Sequence, residues 1–126
     1  MSTQTPLSLF VNQLNSLCSE LSDMYPEDVD IKMAKTSIDT MKKMNPKVIY
    51  NTFSQYVYPF KDQILNRNED FFLNMDFSKI NGVEATNMMT VMNLKKYWGT
   101  MSDQTKECMW QYFGVLIKLC DKINGV

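Results

Sequence analysis

The spacing of apolar residues constrains this chain more than any other feature. Phe10, Leu14, Leu17, Cys18 and Leu21 fall at i, i+4, i+7, i+8 and i+11, which places them on one face of an α-helix. Ile31, Ala34, Ile38 and Met41 make a second such stripe, and Ile49, Phe53, Val57 and Phe60 a third, with Tyr50 and Tyr56 beside it. The strongest is Met109, Trp110, Phe113, Leu116, Ile117 and Cys120, extended by Ile123. Period-two alternation, the mark of a half-buried strand, is missing. Asn81-Gly82 is the best turn signal, but Ile80 and Val83 flank it without alternation, so a hairpin is rejected there.

Prolines, acids and glycines set the helix ends. Thr5 and Pro6 suit the start of the first helix. Pro26, Glu27, Asp28 and Asp30 load the first turn of the second, and Lys42 and Lys43 its last turn, as the helix dipole favours. Asn45-Pro46 ends that helix and starts the next, with Asn45 as cap. Pro59 ends or kinks the third helix. Ile64-Leu65 and Phe71-Phe72-Leu73 read as the buried parts of one or two short turns, with Asn68 as a cap, and 74–84 as an irregular segment. Met88, Val91, Met92, Leu94 and Trp98 supply the apolar side of a helix over 85–98, with Gly99 as its C-cap. Thr100 or Ser102 caps the last helix, Gly125 stops it, and Gly114 inside it suggests a close neighbour. The spacing thus predicts helices over 6–24, 27–44, 46–58, 60–73, 85–98 and 102–123. The expected fold is all-α: a compact single-domain bundle of five to six short helices spanning 1–126. The 126 residues suit one domain, and no repeat of fixed period or low-complexity stretch interrupts them.

Composition excludes several chemistries. The chain has no histidine, which removes histidine-based acid–base catalysis, Ser-His-Asp and Cys-His constellations, and imidazole metal sites. The four glycines are scattered, so there is no phosphate-cradling loop. Formal net charge is −1, so no overall field draws the chain to nucleic acid or to an anionic membrane. Cys18, Cys108 and Cys120 form no CxxC pair and read as small hydrophobes in a reducing compartment. The first six residues lack the basic start and apolar run of a signal peptide, and no stretch is apolar enough to span a membrane. A cytoplasmic or nuclear protein is expected.

Four features could carry function. The acids Glu27, Asp28 and Asp30, and Glu69 and Asp70, are explained by helix capping. Asn66-x-Asn68-x-Asp70 mimics a calcium loop, but position one is not Asp and Phe71 stands where the sharp-turn glycine belongs. No metal, cofactor or small-molecule substrate is expected. Charge is segregated: residues 1–30 carry five acids and no base, and residues 31–67 carry seven basic and two acidic side chains. Lys32, Lys35, Lys42, Lys43 and Lys47 are therefore a candidate nucleic-acid face, although a solvated helix surface explains them as well. The acidic and basic stretches could also meet head to tail in an oligomer. Among the eleven methionines, Met33, Met41 and Met44 fall in one helix and Met88, Met89 and Met92 in another, and most are read as core fillers. Met88 and Met89 are adjacent, so one of them, Met89, is a candidate contact residue. Tyr25, Tyr58 and Tyr97 sit at helix ends and complete the candidate interaction surface.

Several stretches resemble the short lysine- and asparagine-rich helical proteins of large DNA viruses that replicate in eukaryotic cytoplasm. They are Phe10-x3-Leu14-x2-Leu17-x3-Leu21, Met41-Lys42-Lys43-Met44-Asn45-Pro46, Glu69-Asp70-Phe71-Phe72, Leu94-Lys95-Lys96-Tyr97-Trp98 and Trp110-x-Tyr112-Phe113-x2-Leu116. Lysine outnumbers arginine twelve to one, Arg67 being the single arginine, as A/T-rich coding produces. The resemblance implies a source, with the host cytoplasm or the virion as location, and assigns no residue a role. The expected function is non-enzymatic: an intracellular protein-interaction or assembly module, with a nucleic-acid-binding accessory protein as the alternative.

Overall fold

Helix α1 (Pro6–Met24) starts where the sequence places it: the Thr5 side chain accepts a hydrogen bond from the Ser8 N–H at 3.1 Å, and Pro6 occupies the first turn. The computed structural model describes residues 5–74 and 94–125. Helix α2 spans Val29–Met44, two residues shorter than expected at its start. Asp28 is extended (φ −80°, ψ 109°) and caps it, accepting from the Ile31 N–H at 3.2 Å, so Glu27 and Asp28 stand outside the helix and Asp30 lies in its first turn.

Helix α3 (Pro46–Tyr56) begins at Pro46, but the Asn45 side chain makes no capping bond. The main chain of Asn45 serves instead: its N–H donates to the Met41 carbonyl at 2.8 Å, and its carbonyl accepts from the Val48 N–H at 3.1 Å. A 3-10 turn at Tyr58–Phe60 absorbs Pro59 and leads into α4 (Lys61–Leu65). Helix α5 (Asp70–Asn74) follows, the Asn68 side chain accepting from the Asp70 N–H at 3.0 Å. Arg67 joins the two with φ 54°, a left-handed conformation that costs a non-glycine residue about 1 kcal/mol. Its guanidinium grips Glu107 with two prongs of 3.0 and 2.5 Å, and Lys106 reaches Glu69 at 3.3 Å, so the turn is tied to the last helix.

Past residue 93 the chain forms α6 (Lys95–Trp98) and α7 (Asp103–Asn124). Ser102 caps α7, accepting from the Thr105 N–H at 3.1 Å. The irregular segment over 74–84 with its Asn81-Gly82 turn, and the predicted helix before residue 94, including Met88 and Met92, lie outside the described residues apart from Asn74 itself. Gly99 has φ −67°, so α6 ends without the left-handed cap expected there, whereas Gly125 has φ 78° and closes α7 as predicted.

Helix α1 is the axis of this all-α fold. It packs along α7 and also against α2 and α3, while α4 lies on α7 and α5 meets α6. The five residues of its predicted stripe are all fully buried. Phe10 meets Tyr50 and Phe53 edge to face at centroid distances of 5.8 and 5.1 Å. At the other end Trp98 meets Trp110 at 5.3 Å, and Phe71 bridges Phe60 at 5.7 Å and Phe113 at 6.3 Å. Two expectations fail locally. Leu65 and Leu73 are exposed, because a single-turn helix has only one side to bury, which Ile64 and Phe71 occupy; the Phe72 side chain lies outside the described residues. Among the described residues, a Cβ built on Gly114 meets nothing within 4 Å, so no close neighbour there demands glycine. Gly114→Ala should therefore stabilise the protein by about 1 kcal/mol, the helix-propensity difference. A melting temperature raised by a few degrees is the expected reading, and a fall would mean that the site is crowded.

Candidate interaction surfaces

Tyr25 and Tyr97 lie 72 residues apart in the sequence (97 − 25) and stack face to face, centroids 3.7 Å apart and planes within 9°. Tyr25 ends α1 with its N–H on the Leu21 carbonyl at 2.9 Å, and Tyr97 stands on α6. At this junction Asp28 gathers three donors. Its Oδ1 accepts from the Ile31 N–H; its Oδ2 accepts from the Tyr97 hydroxyl and from Lys96 Nζ, the latter at 2.7 Å. Lys96 also stands 3.8 Å from Asp30 and 5.1 Å from the centre of the Tyr97 ring. The Asp28 side chain is only 4% exposed. Burial, the largest influence, would raise its pKa, but the bonds from Lys96, Tyr97 and Ile31 outweigh it and hold the carboxyl at about 2. A cleft of about 340 Å³ opens beside this junction, lined by Tyr25, Pro26, Glu27, Asp28 and Tyr97.

A second polar junction sits over α4 and the end of α7. Lys61 Nζ lies 2.9 Å from both carboxylate oxygens of Asp121, which also accepts from the Tyr58 hydroxyl. The bonds from Tyr58 and then Lys61 lower the Asp121 pKa, and the bond to Asp121 raises those of Tyr58 and Lys61. One step away Tyr50 donates to the Asn124 side chain. Tyr25, Tyr58 and Tyr97 are thus half-buried, Tyr58 and Tyr97 with their hydroxyls bonded within the chain and Tyr25 stacked on Tyr97. Met89 lies outside the described residues.

The lysines fall together more than expected. At 3.6 residues per turn, Lys32, Lys35, Lys42 and Lys43 occupy one flank of α2, an arc of roughly 100°. Asp39 lies in their midst, 3.3 Å from Lys35 Nζ, which also reaches Asn15 Oδ1 at 3.4 Å. Burial, the leading influence on Asp39, would raise its pKa; bonds from Asn15 and Lys35 and the charge of Lys42 lower it instead. Lys32, Lys42 and Lys43, and Lys47 at the start of α3, are exposed.

Next to this flank, α2 presents a face of another kind. Val29, Met33, Thr36, Ser37, Thr40 and Met44 follow one another along it without a single charge. Val29 is 65%, Met33 43% and Met44 73% exposed. Helix α2 packs on α1 and α3, which take its opposite side, Ile31, Ala34, Ile38 and Met41. Of the methionines read as core, Met41 is buried with Met101 and Met109, whereas Met24, Met33 and Met44 are exposed. Sequence reasoning saw the buried stripe of α2 and missed the face behind it. The signal was there in the spacing of Val29, Met33 and Met44, but a second stripe on one helix reads as noise until packing shows which stripe is used.

A polar groove of about 390 Å³ runs between α1 and α7, its walls including Gln13, Glu20, Gln111 and Tyr112. Burial first, then a bond to Glu20, pushes the Tyr112 hydroxyl up to about 12. Cys108 lines the same groove and is exposed, against the expectation of three buried thiols: it lies just off the apolar stripe of α7. Cys18 and Cys120 are fully buried, and burial pushes both thiols up to about 12, which leaves them inert near neutral pH. Among the described residues no group of three or more cysteines and carboxylates is placed to hold a metal ion, and no helix is long and apolar enough to cross a membrane. Comparison with protein-family models, with curated proteins and with solved structures finds no match in any of the three.

Proposed function

We propose that this chain is a non-enzymatic protein-interaction or assembly module whose contact surface is the outer face of α2. The observation that carries the reading is the uncharged strip from Val29 to Met44, which nothing covers among the described residues although three large apolar side chains stand on it. Exposed apolar side chains gathered on one uncharged face of a folded protein suit a contact site, and methionine adapts to a partner's shape at little cost. The absence of histidine adds weight, because acid–base work would fall to carboxylates, Lys, Tyr or Cys alone. The resemblance of several stretches to small helical proteins of large DNA viruses extends the proposal to a viral structural or accessory role.

A photo-crosslinking residue at position 33 tests it. In cells that make the protein, discrete protein adducts are expected from position 33 and none from position 118, an exposed lysine on α7. Equal labelling at both positions, or none at 33, would remove α2 as the contact surface.

A further inference from the structure

Resting on that reading, we propose that the outer face of α2 docks an acidic amphipathic helix of another protein. Shape is the first reason. The strip Val29, Met33, Thr36, Ser37, Thr40, Met44 covers roughly 100° of the helix surface, the width one helix offers a packed neighbour. It runs the length of a 16-residue helix, and its small central residues let a second helix axis approach to about 8–10 Å. Near its start a shallow depression of about 310 Å³, lined by Val29, Lys32, Met33, Thr36 and Ser37, makes a hole for an apolar side chain.

Charge selects the occupant. The strip is bordered along one edge by Lys32 and Lys43, with Lys35, Lys42 and the intervening Asp39 beyond, and along the other by the single charge of Asp30. A second copy fits poorly. In an antiparallel two-fold pair like flanks meet, so Lys32 of each copy would face Lys43 of the other. Nucleic acid would satisfy the lysines but leave Val29, Met33 and Met44 in water. A helix with an apolar stripe and glutamates or aspartates along its edge satisfies both, and its charge complementarity fixes the register as well as the partner.

The test uses two synthetic helical peptides of 16 residues, matched to α2 in length. They share one leucine stripe and differ only in flanks of glutamate or of lysine. Titrated onto the full chain by fluorescence anisotropy, the glutamate peptide should bind at least about tenfold more tightly than the lysine peptide, and the ratio should shrink in high salt. Met33→Lys should weaken the glutamate peptide by about tenfold or more, with circular dichroism confirming an intact fold. The double variant Lys32→Glu/Lys43→Glu should invert the order of the two peptides. Equal affinities, or binding untouched by Met33→Lys, would overturn the proposal. A doubling of native mass that Met33→Lys abolishes would assign the face to a second copy, and tight duplex DNA binding lost with the lysines would assign it to nucleic acid; either overturns the acidic helix. If the peptides fail while crosslinking at position 33 succeeds, the acidic helix falls and the interaction reading survives. If both fail, both fall.

Discussion

Phe10→Ala should lower the unfolding free energy by about 3–5 kcal/mol, the usual cost of deleting a fully buried phenylalanine. Phe10 is 0% exposed on α1 and holds the rings of Tyr50 and Phe53 edge to face. Its loss removes transfer energy and leaves a cavity where α1 meets α3, which the remaining residues fill only in part. Domains of this size are stable by about 5–15 kcal/mol in all, so one substitution takes a large share. Chemical denaturation followed by circular dichroism reads it as an earlier midpoint at unchanged slope. Leu9→Ala is the control: its side chain is 41% exposed on the same helix, and a change within about 0.5 kcal/mol is expected. A Phe10→Ala cost below about 1 kcal/mol would mean that α1 does not seat at the centre of the core.

Asp28→Asn should cost about 2 kcal/mol near neutral pH and flatten the acid limb of the stability curve. Asparagine caps a helix as well as aspartate does, so the Ile31 bond is retained, while the charge and the Oδ2 acceptor shared by Tyr97 and Lys96 are removed. What is lost is the pairing with Lys96 at 2.7 Å, inside a site where the carboxylate is almost wholly enclosed. The sign follows from the depressed pKa. The folded carboxyl titrates at about 2 against 3.8 unperturbed, so its contribution is complete above pH of about 4 and drains away as pH falls towards 2. Wild type and variant should therefore differ by a constant amount from about pH 5 upward and converge at the acid end. Parallel curves down to pH of about 2 would show that the Lys96 pairing does not form. Glu27→Gln, one residue away and exposed, should change stability near neutral pH by less than about 0.5 kcal/mol.

Asp28 also separates what was legible in the sequence from what was not. Its place near the start of α2 could be read from the run Pro26-Glu27-Asp28, because capping is a local bargain between a side chain and the three residues after it. That the same carboxylate would accept from Lys96 and Tyr97 could not be read, since nothing local relates residues 28 and 97. Tyr25 and Tyr97 were singled out one by one as helix-end tyrosines, and only the packing of α6 over the α1–α2 turn makes them a pair.

The sequence by itself determined the long helices α1, α2, α3 and α7, the caps at Thr5, Ser102 and Gly125, and most of the four buried stripes, because 3.6-residue periodicity and capping act over a handful of residues. It determined the buried members of α2 in full: Ile31, Ala34, Ile38 and Met41 are the residues predicted and the residues found. Only the tertiary structure decided what each helix does with its remaining surface. It left Val29, Met33 and Met44 open to solvent, buried Met101, exposed Cys108, and set Arg67 in a left-handed turn beside Glu107. Burial of a face depends on which neighbour covers it, and that choice joins residues tens of positions apart.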